Sequence, residues 1–395
     1  MHGQARQGRG ADRRRSGRRR TAVAAAVAAV AAVGVLTAGA TAPPGAFAAG
    51  RPDAVQQGLN TLVRDGIAPA ALASVTDHDG RTRNYTAGVA DPATGAEVPV
   101  DGQVRIGSNT KVFTAVVMLQ LVAEGKVGLD EPVDTYLPGL VRGEGIDGRL
   151  ITVRRLLQHT SGLPEYMLSP RMADLAAIRH HYFEPRDVLD LALAQKSDLA
   201  PGTKWQYSNT NYLLAGLIVQ QVTGRPLAEE IDRRVIRRIG LRHTYFPAPG
   251  DQTIREPHPN GYYRDAPGAP PRDFTELDPS WAWAAGQLVS TDSDLNRFYT
   301  ALLGGRLLPT AQLAQMRTTV PADDAGPGVR YGLGLSSMPL PCGGVFWGHN
   351  GNIPGYRTRA GVTDDGHAVS VTLTLKSTGD DSAQLDDVMN AALCR

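Results

Sequence analysis

Apolar residues recur along this chain with two different periods, and the switches between them lay out its elements. Residues 54–65 have the spacing of an amphipathic helix. Residues 72–76 and 81–89 alternate as two strands around Asp79-Gly80, a hairpin signature. From 108 to 125 the pattern is helical but lacks a polar face: Val112, Phe113, Val116, Val117, Leu119, Leu121 and Val122 are spread around it. A helix apolar on every side belongs in the middle of a protein. Helical spacing continues over 187–195, 211–222 and 227–239, with Gly224 and Gly240 as stops. Residues 294–303 form another helix behind the capping candidates Ser290, Thr291 and Asp292. Strand patterns return over 331–335, 345–348, 357–362 and 368–375, and residues 382–393 close the chain as a helix.

Strands at both ends with helices between them predict one antiparallel sheet assembled from the two termini. The fold class is then an α/β (α+β) sandwich with an inserted all-helical subdomain. The sheet subdomain takes about 50–107 and 325–395, and the insertion about 126–285. The proline-rich stretch 264–272 reads as a loop rather than a domain linker.

Charge changes the picture only at the N-terminus. The formal net charge of the 395 residues is +2, but eight arginines stand among the first twenty. Residues 21–48 carry no charge, and Ala46-Phe47-Ala48 has the small-x-small form of a cleavage site. Residues 1–48 therefore read as a signal peptide, by either the general or the twin-arginine route, and the protein as secreted without a stable membrane anchor. The rest has 33 basic against 38 acidic residues, which argues against a nucleic-acid partner. The chain has two cysteines, Cys342 and Cys394. In an exported protein they are expected to pair.

Three short motifs carry candidate chemistry. In Ser108-Asn109-Thr110-Lys111, serine and lysine lie three apart, on one face of a helix. Ser108 would start that helix, where free N–H groups favour developing negative charge. Lys111 inside an apolar helix would lose solvation, its pKa would fall, and a neutral amine could take the serine proton. The second motif is Tyr207-Ser208-Asn209, in a polar turn before an apolar helix. Its phenol can shuttle a proton and its amide can hold a substrate carbonyl. The third, Trp347-Gly348-His349-Asn350-Gly351, ends a strand whose glycines admit a ligand close to the backbone. No H-E-x-x-H or paired C-x-x-C suggests a metal, and no cofactor is expected.

Taken together and in this order, the motifs resemble those of the serine β-lactamase and penicillin-binding protein superfamily, in its class C-like branch with Y-x-N and a histidine in the third motif. Further matching stretches are Arg105-Ile106-Gly107-Ser108, His159-Thr160-Ser161-Gly162-Leu163, Tyr331-Gly332-Leu333-Gly334-Leu335 and Gly355-Tyr356. The resemblance covers residues 50 to 395 and is strongest to secreted D-alanyl-D-alanine carboxypeptidases. It implies a β-lactamase/transpeptidase-like fold with the site between sheet and insertion. It also implies an acyl-enzyme on Ser108, proton transfer by Lys111 and Tyr207, and substrate contacts from Asn209, His349, Asn350, Gly351, Asn352 and Trp281. The oxyanion hole would be the amides of Ser108 and Asn352, and His159-Thr160-Ser161-Gly162 a structural turn. Expected partners are a small peptide or peptidoglycan substrate and β-lactams as covalent inhibitors, met by a monomer.

The sequence departs from that pattern where a substrate carboxylate would bind. Asn350 and Asn352 replace hydroxyls, and Ser336 stands where an arginine is expected. A missing guanidinium removes a charge-assisted contact of about 1.5–3 kcal/mol. The carboxypeptidase reading therefore shares the field with an esterase, a D-amino-acid amidase or a class C-like β-lactamase on the same site. A non-catalytic penicillin-binding protein is the third reading.

Overall fold

The structure, a computed structural model, describes residues 53–377 and 382–394. The leader expected over residues 1–48 lies outside the described residues.

Alternating burial builds the sheet first. Strands β1 (Ala70–Thr76) and β2 (Thr82–Asp91) form the predicted hairpin. At the other end of the chain come β3 (Arg330–Tyr331), β4 (Ser336–Pro339), β5 (Val345–Ile353), β6 (Tyr356–Thr363) and β7 (Ala368–Leu373). The order is β3-β4-β5-β6-β7-β1-β2, antiparallel throughout, with two-residue strands at Val320–Pro321 and Ala96–Glu97 on the two edges. The N- and C-terminal parts thus meet in mid-sheet, where Ala71 pairs with Leu373 and Val75 with Val369.

Helices cover both faces. On the outer face α1 (Ala54–Arg64) and the last helix, Ser382–Leu393, bury Val55, Leu59, Leu385 and Val388 against Ala71, Ala73, Val369 and Val371. On the inner side, α2 (Thr110–Ala123) is enclosed by other helices and buried at every position from Thr110 to Leu121, as its sequence requires. Around it are α3 (Pro185–Leu193), α4 (Asn209–Thr223), α5 (Trp283–Gly286) and α6 (Asp292–Leu303), the last lying directly against β1, β6 and β7. Phe113 of α2 stacks on Phe298 of α6 with ring centres 3.8 Å apart. α6 meets the sheet through polar contacts: Ser370 donates to Asn296 and Thr372 to Asp292, both at 2.8 Å.

Two expectations need correcting. Residues 331–335 are not one strand: Gly334 takes φ +83° and turns the chain between β3 and β4. The insertion is not all-helical either. Arg142–Gly143 pairs with Ile146–Asp147, and Tyr262–Arg264 pairs with Arg272–Asp273 and with Leu375–Ser377 of the sheet subdomain. The proline-rich loop is the tip of that second hairpin, a few residues too short to register as strand periodicity.

Cys342, in the β4–β5 turn, is bonded to Cys394 after the last helix, closing 52 residues of chain. Denatured, unreduced protein should titrate no free thiol. Replacing both cysteines by serine should cost about 2–4 kcal/mol of stability, read by chemical unfolding.

Candidate active site

The chain enters α2 through one tight turn, Gly107–Asn109. Gly107 adopts φ +49°, and a Cβ there would lie 2.8 Å from the Asn352 amide nitrogen. On β5, a Cβ at Gly351 would lie 2.1 Å from the Ile106 carbonyl. Only glycine at both positions lets the strand lie against the start of the helix. That contact sets the Asn352 amide beside Ser108.

Lys111 is fully buried one turn after Ser108, and its Nζ has three polar neighbours. They are Ser108 Oγ at 2.9 Å, Asn209 Oδ1 at 2.7 Å and the Ala285 carbonyl of α5 at 2.8 Å. A neutral amine has two N–H groups and one lone pair. Asn209 Oδ1 and the Ala285 carbonyl can only accept, so they take the two N–H groups. The lone pair is left facing the Ser108 hydroxyl. Burial draws the Lys111 pKa down to about 7, with the negative charge of Glu165 opposing the fall.

Glu165 went unremarked in the sequence and organises this arrangement. Its Oε2 accepts from the Asn209 backbone N–H at 2.7 Å and from Asn209 Nδ2 at 3.0 Å. A carboxylate cannot donate, so the Asn209 amide is held with Nδ2 toward Glu165 and Oδ1 toward Lys111. Asn209 was expected to grip substrate; here its first duty is to orient the amine. The available signal was an acid six residues after His159 in a polar turn, which carries no spacing rule.

Tyr207 lies beside the Ser108 hydroxyl, and its ring centre is 4.9 Å from Lys111 Nζ. Burial pushes the phenol above its ordinary pKa, so it is protonated. The turn that presents it is laced to the 159–165 loop. His159 Nδ1 accepts from Ser208 N–H at 3.2 Å and from Asn211 Nδ2 at 3.0 Å, and the Pro164 carbonyl accepts from Ser208 and Thr210. The His159 ring lies 4.3 Å from that of Tyr207. His159 is a brace for the tyrosine.

His349, 4% exposed, projects from β5 toward the same centre. Its Nδ1 donates to the Asn350 carbonyl at 2.6 Å. Burial first, and the charge of Lys111 second, lower its pKa to about 3, so it is neutral. Asn350 does not join it. Successive strand residues face opposite sides, and Asn350 lines an outer-face pocket of about 220 Å³ with Phe346, Asp386 and Asn390. Arg357 is on that outer face too: it pairs with Leu373 and is two residues from Arg359, which bonds Asp386 of the last helix at 3.0 Å. Neither Arg357 nor Ser336, which pairs with Gly348, brings a guanidinium to the His349 side. The Asn352 side chain is exposed. Trp281, 8% exposed, is packed into the main core two residues before α5.

A family model described as Beta-lactamase matches residues 59–393. The crystal structure of a D-stereospecific amidohydrolase from Streptomyces sp. is 40% identical, with a TM-score of 0.78 over 86% of this chain and 98% of that one. Penicillin-binding protein 4 of Amycolatopsis lactamdurans is 30% identical over 276 residues, 67% of this chain and 69% of its own. Esterase EstB of Burkholderia gladioli is 32% identical over 221 residues, 54% of this chain. The matched stretch spans only 55% of that esterase.

The amine must be neutral to accept the Ser108 proton, so kcat/KM should rise with pH through about 7. Glu165→Gln removes the charge that raises the Lys111 pKa. Its acid limb should move to lower pH while kcat falls, measured as a pH–rate profile on a nitrophenyl ester.

Proposed function

The chain belongs to the Beta-lactamase family, and we propose that it is an exported serine hydrolase that cleaves amides or esters of D-configured acyl groups through an acyl-enzyme on Ser108. The observation that carries the reaction is the buried Lys111 Nζ, 2.9 Å from the Ser108 hydroxyl, with two further acceptors to take its N–H groups. Ser108 Oγ attacks the carbonyl carbon, and its proton passes to Lys111. As the C–N or C–O bond breaks, Tyr207 delivers a proton to the leaving group and is re-protonated from Lys111. Water then attacks the acyl carbon, and the reverse transfer restores Ser108. The amides of Ser108 and Asn352 would hold the oxyanion.

The face of β5 beside Ser108 supports a neutral leaving group. Ser336 has no guanidinium and that of Arg357 is on the outer face, so neither binds a terminal carboxylate there, and Glu165 adds negative charge near the site. Likeness to the Streptomyces amidohydrolase supports D-stereospecificity. Likeness to penicillin-binding protein 4 favours a second reading, a D-alanyl-D-alanine carboxypeptidase acting on cell-wall peptides and acylated by β-lactams. The charge and apolar pattern of residues 1–48 and the Cys342–Cys394 disulfide both support export.

A panel of D- and L-phenylalanine amide, diacetyl-Lys-D-Ala-D-Ala and its C-terminal amide separates the readings. Turnover should favour the D-amide over the L-amide, and the capped peptide over the free acid. Hydrolysis of the free acid alone would make the carboxypeptidase reading the right one. Ser108→Ala should lower every activity by about 10³-fold or more and abolish covalent capture of penicillin.

A further inference from the structure

Tyr331 lies on β3, 2% exposed, and takes no part in the steps above. Its hydroxyl is 2.9 Å from His349 Nε2. Because Nδ1 donates to the Asn350 carbonyl, the neutral ring has its lone pair on Nε2, and Tyr331 donates to it. The Tyr331 ring is itself held, 4.9 Å from the ring of His159 and 5.8 Å from that of Trp205.

We propose that Tyr331 is a positioning residue that locks His349 into the Nδ1–H tautomer with both nitrogens occupied, leaving Lys111 as the one acceptor for the Ser108 proton. The inference rests on the catalytic reading of Ser108 and Lys111 but not on the substrate. An imidazole with a free Nε2 would be a second base in this site, with its ring 6.3 Å from that of Tyr207. Occupying Nε2 with a phenol, itself raised well above its ordinary pKa by burial, keeps it from collecting that proton. The same contact fixes the ring plane, and with it the β5 backbone up to Gly351 and Asn352. The groups that face His349 are Lys111 from α2, Tyr207 and His159 from the insertion, Tyr299 from α6 against its backbone, and Tyr331 from β3, while Arg359 of β6 acts on it only as a charge from the outer face.

The test is imidazole ¹⁵N NMR of the whole protein without substrate, with His349→Gln to assign the signal. In the wild type His349 should show Nδ1–H and a bare Nε2, with no titration from about pH 4.5 to 9. Tyr331→Phe should raise its midpoint by at least about one pH unit. The same variant should lower kcat on a nitrophenyl ester about ten-fold with KM little changed. An Nε2–H tautomer in the wild type, or titration within that window, overturns the proposal. So does a folded, penicillin-reactive Tyr331→Phe protein whose His349 signals and pH profile match the wild type. Should that variant fail to fold, the wild-type tautomer alone decides. The substrate panel addresses leaving-group choice and does not touch this readout, so the two readings fail separately.

Discussion

Everything at the centre of this molecule depends on keeping one amine dry. Lys111 sits in a helix that no water reaches, with its nitrogen among a serine hydroxyl, an amide oxygen and a main-chain carbonyl. An ammonium there loses its hydration and, among the described residues, has Glu165 as its carboxylate neighbour, so burial brings its proton affinity down toward neutrality. The amine form fits the same three neighbours with two donors and a lone pair. Desolvation therefore favours the protonation state able to activate Ser108, and the hydrogen-bond partners accommodate it.

The surrounding architecture holds that state in place. α5 supplies a carbonyl and α4 an amide oxygen, and the 159–165 loop fixes which end of the Asn209 amide faces inward. The sheet contributes from the other side through β5, drawn against the helix start by two glycines. His349 and Tyr331 add a neutral pair whose polar atoms are satisfied by one another and by the backbone. A buried polar network of this kind is stabilising only when each member has its partner. That requirement ties the insertion and the sheet to a common geometry.

The negative side of the site is informative as well. Arg357 and Arg359 are near the third motif in sequence, but both face the outer helices. A one-residue shift of register would bring them to the His349 side and bury a different set of residues across the sheet. Register, not composition, therefore decides that the site has no guanidinium from this strand.

The periodicity of the chain determined most of the elements and their faces: a hairpin near the N-terminus, strands near the C-terminus, a central apolar helix and the capped helix after Thr291. These are local properties, written in alternation and in 3.6-residue spacing. The Ser108–Lys111 pair was legible for the same reason, since three residues of helix fix their separation. What only the tertiary structure decided involves residues far apart in the chain. Glu165 meets Asn209 across 44 residues, Ala285 meets Lys111 across 174, and Asn350 is turned from the site by its place in the pleat. No sequence pattern encodes such meetings, because they arise when separate elements are packed to exclude water from one nitrogen.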